Sequence, residues 1–419
     1  MIEAAKGNPE NLPLAEYILG RIQTLKKETG VNRTIFAACP NSRAVIRAAI
    51  RSAKRCNAPI KFAATLNQVD FDSGYTGLTQ KEFVKLIHKE ADKINYTGPV
   101  MIAIDHGGPW LKDAHRLENL PYEKTMELVK KSMIEALEAG YNLLHVDPTV
   151  DITLNKEETI SIETVADRTV EIITHVENYR RKNGLSKISY EVGTEEVHGG
   201  LADMSVFRKF LNLLKNGLSE NGLSDVWPCF IVGKVGTDLH TTTFDPDVAK
   251  QLTYEAAKFG SVIKGHYSDN VSNPKDYPLA GMGGANIGPE FTEMEYDGLM
   301  ECVDIEETLF KADKVAKRSG FKAVLWKAVI DSNRWKKWLL PEEEGKDFDA
   351  IAYERQLWLI KTGCRYIWEK PSVVAARARL FENIEDNGIK AETIVLTPIE
   401  KSMDKYFYSF NLIDLNNEL

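Results

Sequence analysis

The sequence predicts an α/β fold, a (β/α)8 TIM barrel with a C-terminal helical extension, on three observations. Short runs of β-branched and aliphatic residues alternate with longer segments of helical periodicity. Eight such runs occur, each continuously apolar, as a parallel strand covered on both faces requires. Several of the helical segments end in Gly or Asn-Gly, the usual left-handed stop.

In chain order, a leading helical segment, LAEYILGRIQTLKKE, is placed to close the barrel's bottom. The strand candidates are TIFAACP (34–40), PIKFAAT (59–65), PVMIAIDHG (99–107), NLLHVDPT (142–149), KISYEVGTEE (187–196), CFIVGKVGT (229–237), SVIKGHYSD (261–269) and the weaker LAGMGGANIG (279–288). Helical stretches such as SRAVIRAAIRSAKR and YEKTMELVKKSMIEALEAG separate them. The seventh connection, NVSNPKDYP, is short for a full helix, which keeps a doubly wound sheet as the fallback. From about 322 the chain is helical and aromatic-rich, so residues 1–320 are assigned to a barrel domain and 321–419 to an extension packed on it.

With 419 residues, 43% hydrophobic and 27% charged, the chain has the composition of an ordinary globular protein. A net charge of −8 offers no global attraction to nucleic acid or anionic membrane. Five scattered cysteines without a C-x-x-C pair fit a reducing cytosol. The N-terminus has no basic region followed by an apolar stretch, and no window approaches the roughly 18 apolar residues of a membrane span. A cytoplasmic location is expected.

In a barrel, functional side chains sit where strands end in βα loops. Here six successive strands end in polar residues: Asn67 and Gln68; Asp105 and His106; His145 and Asp147; Glu191 and Glu195; Lys234, Asp238 and His240; Lys264, His266, Ser268 and Asp269. Side chains two apart share a strand face, so His145 should lie with Asp147 and Lys264 with His266. His106, His240 and His266 follow strands three, six and seven. Three imidazoles with an open fourth position suit a divalent ion, zinc first, with nickel, manganese or cobalt as alternatives. Asp147, Glu191 or Glu195 would complete or orient the site. Singly, each of these residues reads better as a hydrogen-bonded structural group or ion pair; the repetition over six strands favours function. His88, His115 and His175 are assigned structural roles.

LNQVDFDSGYTGLTQKEF, IAIDHGGP, LLHVDPT, SYEVGTEEVHGG, DLHTTTFDP and KGHYSDN together resemble the family of the non-catalytic subunit of class II D-tagatose-bisphosphate aldolase, which has ketohexose and ketohexuronate C4-epimerase relatives. More distantly the layout is similar to class II fructose-bisphosphate aldolases. That resemblance implies Asp105 as proton shuttle and His106, His240 and His266 as metal ligands, with Asp147 and Glu191 near the metal. One departure stands out. A glycine-rich phosphate loop usually follows the last His in those aldolases, whereas here His266 is followed by Tyr267, Ser268, Asp269 and Asn270, and a carboxylate repels phosphate. GMGGANIG (281–288) offers backbone donors instead, but with Asn286 where a third glycine belongs it is no dinucleotide fingerprint, and NAD is not expected.

The leading expectation is a metal-dependent ketohexose C4-epimerase of the fructose/tagatose type. Asp105, Glu195 and Asp147 are assigned catalytic roles, and Asn67, Gln68, Glu191, Lys234, Ser268, Asp269 and Asn286 substrate contact. The alternative is a stabilising partner subunit of a class II tagatose-bisphosphate aldolase; a homo-oligomer is a further possibility for assembly. Nucleic-acid binding through Arg334-Trp335-Lys336-Lys337-Trp338 is weighed and set aside. That run reads better as one amphipathic helix with its tryptophans on the barrel and its lysines in water. No G-x-x-x-x-G-K-[ST] loop supports a kinase.

Overall fold

The computed structural model describes residues 11–155, 158–193, 203–238 and 241–419. The expected barrel is present. Eight parallel strands, β1 (Ile35–Ala38), β2 (Ile60–Thr65), β3 (Val100–Gly107), β4 (Leu143–Val146), β5 (Ser189–Val192), β6 (Phe230–Val232), β7 (Val262–Gly265) and β8 (Gly284–Ile287), pair in chain order, and β8 closes on β1. All fall inside the runs read as strands. Among the described residues, helices α1 (Leu14–Thr29), α2 (Arg43–Cys56), α3 (Gln80–Lys93), α4 (Asp113–Leu117), α5 (Tyr122–Ala139), α6 (Ile162–Lys182), α7 (Met204–Glu220) and α8 (Pro246–Ala257) precede or alternate with the strands. The short seventh connection still holds a single turn, α9 (Asp276–Leu279), so the barrel completes without a full helix there.

Local chemistry marks these boundaries. Ser42 caps α2, Thr79 and Glu82 form a reciprocal capping box on α3, and Asp245 caps α8 ahead of Pro246. Leading helix α1 buries Ile18, Ile22 and Leu25, and its Glu16 accepts a hydrogen bond from Ser189 at the start of β5, which places it at the N-terminal end of the strands.

After β8 the chain forms α10 (Pro289–Lys311), α11 (Phe321–Ser332), α12 (Tyr353–Gly363), α13 (Pro371–Glu385) and α14 (Ala391–Ser409). Two apolar clusters result. The barrel's cluster takes in Leu396, Ile399, Met403, Tyr406 and Phe407 of α14, while the other joins α10 to α13 through Leu299, Leu325, Leu359 and Leu380. The last helix is therefore built into the barrel core.

The run 334–338 is not part of one amphipathic helix. Asn333 takes a left-handed conformation (φ 54°) that ends α11, and Arg334–Trp338 is a separate 3-10 turn. Trp335 stacks edge-on against Phe348 within the second cluster instead of on the barrel, and Lys337 reaches Asp113 at 3.2 Å.

Glu295 of α10 is buried and accepts a 2.5 Å hydrogen bond from Ser42. Burial pushes its carboxyl up to about 7, against the Ser42 bond and Arg377. A raised carboxyl pKa favours the folded state below the unfolded pKa, near 4.5, and this contribution is lost as pH rises through about 7. The difference corresponds to about 3 kcal/mol. Glu295→Gln is expected to flatten that dependence, so that the variant gains stability relative to wild type between pH 5 and pH 8 in urea unfolding; parallel curves would contradict it.

Candidate metal centre

Strand β3 ends by sending two neighbouring residues into the barrel mouth, although successive strand side chains normally face opposite ways. A register shift explains how. Ile104 pairs with Leu144 but Gly107 with Val146, so β3 carries an extra residue, and His106 sits at φ 48°. The bulge re-aims His106 so that it joins Asp105. Gly108 makes the next step possible, because a Cβ there would lie 1.9 Å from the carbonyl oxygen of Asp147. Backbone cannot yield as a side-chain tip can. Gly108→Ala is therefore expected to push the β3 and β4 loops apart and cost about 1–3 kcal/mol, read as a lower urea midpoint with a loss of bound metal; an unchanged midpoint would show that the loops tolerate the shift.

Four groups converge where the strands end. Asp105, His106, His145 and His266 each offer a ligand atom, all within 4.8 Å of one another. His106 Nδ1 lies 2.5 Å from Asp147 Oδ2, and its Nε2 lies 2.7 Å from His266 Nδ1. Asp147 thereby fixes the tautomer and turns Nε2 inward, the carboxylate–histidine arrangement typical of metal ligands. Thr149 donates to the other Asp147 oxygen at 2.5 Å. His145 Nδ1 accepts from the His106 N–H at 3.0 Å, while its Nε2 is buried with no hydrogen-bond partner among the described residues. Asn286 donates to Asp105 Oδ1 at 2.9 Å.

Beneath this set lies a buried charge network in place of the aliphatic layer usual for a barrel interior. Glu191 Oε2 is 3.2 Å from Lys61 Nζ, and Oε1 is paired with Lys264 Nζ and 3.3 Å from His266 Nε2. All of these side chains are buried, and the Lys61 ammonium lies 4.7 Å over the Phe230 ring. Burial raises Glu191, yet Lys264, Lys61 and His145 hold its carboxyl well below the usual range. Burial likewise opposes ionisation of Asp105, but His106 and Lys264 keep it a carboxylate. Burial and the neighbouring His106 lower His266 to about 3, so its ring is neutral. Against burial, Asp105 and Asp147 raise His106.

The donor set fits a divalent cation. Three imidazoles and a carboxylate form a hard-to-borderline N/O set, one imidazole is oriented by a carboxylate, and another is neutral as a ligand must be. The set differs from the expected trio. His145, read as a strand-end polar residue but not as a ligand, is in the cluster, while His240 lies outside the described residues, as does Glu195.

A cavity of about 650 Å³ opens above the cluster, lined by Asp105, His106 and His266 together with Asn67, Gln68, Asp269 and Asn286. Asn67 and Gln68 are largely committed to backbone: Asn67 bonds Leu111 O and Asp113 N, and Gln68 bonds Thr65 N and Pro40 O. Ser268 is placed elsewhere, fully buried with its hydroxyl bonded by Tyr277. Lys234 is half-buried beyond β6 and outside the lining. Asp269 accepts from Gly288 N and Glu290 N at 2.9 and 2.8 Å, and burial pushes its carboxyl up to about 7. Lys61 and Arg365 were missed in the sequence; a lysine inside the apolar run IKFAAT was the available signal for the first.

Comparison with known proteins agrees with this architecture. A probable tagatose 6 phosphate kinase from Sinorhizobium meliloti 1021 superposes with a TM-score of 0.73 at 21% identity, covering 90% of this chain and 100% of that one. A fructose-bisphosphate aldolase from Campylobacter jejuni superposes at 0.52 with 15% identity, over 96% of this chain and 95% of the other. Both likenesses show the barrel and no more. The family model for D-tagatose-1,6-bisphosphate aldolase subunit GatZ/KbaZ-like proteins matches residues 21–406, and the chain belongs to that family.

Proposed function

We propose that this aldolase-related protein is a metal-dependent C4-epimerase of a ketohexose or ketohexose derivative, working by cleavage and re-formation of the C3–C4 bond. The convergence of Asp105, His106, His145 and His266 to within 4.8 Å of one another, three of them lining an open cavity, carries the reading. His106, His145 and His266 would hold a divalent cation, with Asp105 as neighbour or fourth ligand. When bound, the cation supplies Lewis-acid polarisation of the substrate's oxygens and offsets the charge that develops as the bond breaks.

The chain's own groups supply the rest. Asn286 fixes Asp105 through Oδ1, leaving Oδ2, beside the Cys39 thiol, for substrate. Asp105 takes the proton of the C4 hydroxyl as the C3–C4 electron pair moves to C3, giving an aldehyde and an enediolate. Rotation of the aldehyde and reversal of the same steps, with the proton returned from Asp105, inverts C4 and consumes no redox cofactor. Asp147 keeps the His106 ring in place, and Glu191 holds His266 and both lysines.

A second reading is favoured by the family description itself, which names an aldolase subunit: a partner that stabilises a catalytic aldolase chain. Purified protein, loaded with metal and assayed alone on fructose, tagatose and their phosphates, separates the two. Interconversion at C4 is the expected result, and in heavy water no carbon-bound deuterium should appear at C4. Deuterium there would point to direct proton transfer, and no turnover without a second chain would favour the partner role.

A further inference from the structure

The site after β8 where barrels commonly bind a substrate phosphate is already filled from within. Asp269 Oδ1 takes the N–H groups of Gly288 and Glu290 at the start of α10. Protonated or not, it occupies those donors, and an anionic substrate must be recognised elsewhere in the cavity.

The C-terminal extension offers the alternative. Arg365, in the turn after α12, lines the same cavity and is only 6% exposed. Its Nε and Nη2 are buried and have no hydrogen-bond partner among the described residues. These two atoms form the edge of a guanidinium that binds an oxyanion side-on, through two parallel N–H···O bonds. The guanidinium is held between aromatic rings, 4.7 Å from Trp338 and 5.1 Å from Tyr366. Lys337 also lines the cavity, and Arg334 stacks on Tyr366 at 4.3 Å. Asp113 pairs with both of those cations; Arg365 meets the Tyr366 phenol and feels the Tyr75 hydroxyl and the Asp269 carboxylate through space, but its Nε–Nη2 edge stays without an acceptor among the described residues. The field at Tyr366 agrees: burial raises its phenol, but Arg365, Lys337 and Arg334 bring it below its ordinary value. Burying a guanidinium edge without acceptors is costly, and a ligand oxyanion removes that cost.

We propose that the substrate carries an oxyanion at the end remote from the reacting carbons, a phosphate monoester or a carboxylate, and that Nε and Nη2 of Arg365 grip it. The inference rests on the proposed function only in placing a sugar in this cavity. Phosphate and carboxylate share the recognition chemistry, and the experiment distinguishes them.

The test is calorimetric binding of a ketohexose, a ketohexose 6-phosphate, a ketohexuronate and inorganic phosphate to the metal-loaded full chain, with Arg365→Met and Arg365→Lys variants. Wild type should bind one anionic sugar about tenfold or more tighter than the neutral one; which sugar it is names the anion. In Arg365→Met the ratio should collapse towards one, and in Arg365→Lys, which keeps charge but loses the fork, it should fall part of the way. If Arg365→Met does not fold, the lysine variant carries the test alone. Equal binding of neutral and anionic sugars by wild type, or an unchanged ratio in both variants, overturns the proposal. His266→Ala separates this from the reaction itself: it should keep the anion preference while losing turnover, whereas absence of epimerisation by wild type with Arg365-dependent anion binding intact would sink the function and not the subsite.

Discussion

His266→Ala is expected to abolish bound divalent ion and to lower turnover by at least about 100-fold, since loss of even an outer-shell partner of a metal site commonly costs 10–100-fold. His266 is suited to that role because burial and His106 keep its ring neutral, and a ligand nitrogen must be bare. Its Nε2 faces Glu191 at 3.3 Å and its Nδ1 faces His106. Metal analysis after loading, with circular dichroism as the check on folding, reads the outcome. A folded variant retaining wild-type metal content would mean that this imidazole is a structural bridge between Glu191 and His106.

Glu191→Leu should produce the largest stability loss. The carboxylate is fully buried between Lys61 and Lys264, both 1% exposed, and without it two ammonium groups face each other inside the barrel. Breaking a buried pair by removing one partner costs about 3–5 kcal/mol, because the remaining charge is uncompensated. Adding Lys264→Met should return a measurable part of that loss, a coupling that a double-mutant cycle in urea detects. Strictly additive effects would show that Glu191 does not hold the two lysines in the way the geometry indicates.

The barrel was legible in the sequence because its strands are buried on both faces and read as unbroken apolar runs, and because left-handed glycine and asparagine stops separate the helices. The pattern blurred where periodicity and geometry part company. DSNRWKKWLL has a helical spacing, yet Asn333 in the left-handed region ends α11 and turns the tryptophans into a different core. At the site, Asp105, His106 and His266 were recognisable as strand-end residues facing one mouth. His145 was visible in the same way, and its alternation with Asp147 set the pair on one face, but nothing in the spacing says which of several strand-end imidazoles approach within ligand distance. That depends on the bulge at Asp105 and His106, which brings two consecutive side chains inward. Long-range partners were the least accessible. Arg365 reaches the cavity from a turn 260 positions beyond Asp105, and only the docking of the extension over the mouth brings the two together.

The most direct measurement is anomalous scattering from crystals of the full chain grown with zinc or manganese. A single strong peak about 2.0–2.1 Å from nitrogens of His106, His145 and His266 is the predicted result. A peak elsewhere, or His106 and His266 still hydrogen-bonded to each other with no ion between the three rings at saturating metal, would contradict the account.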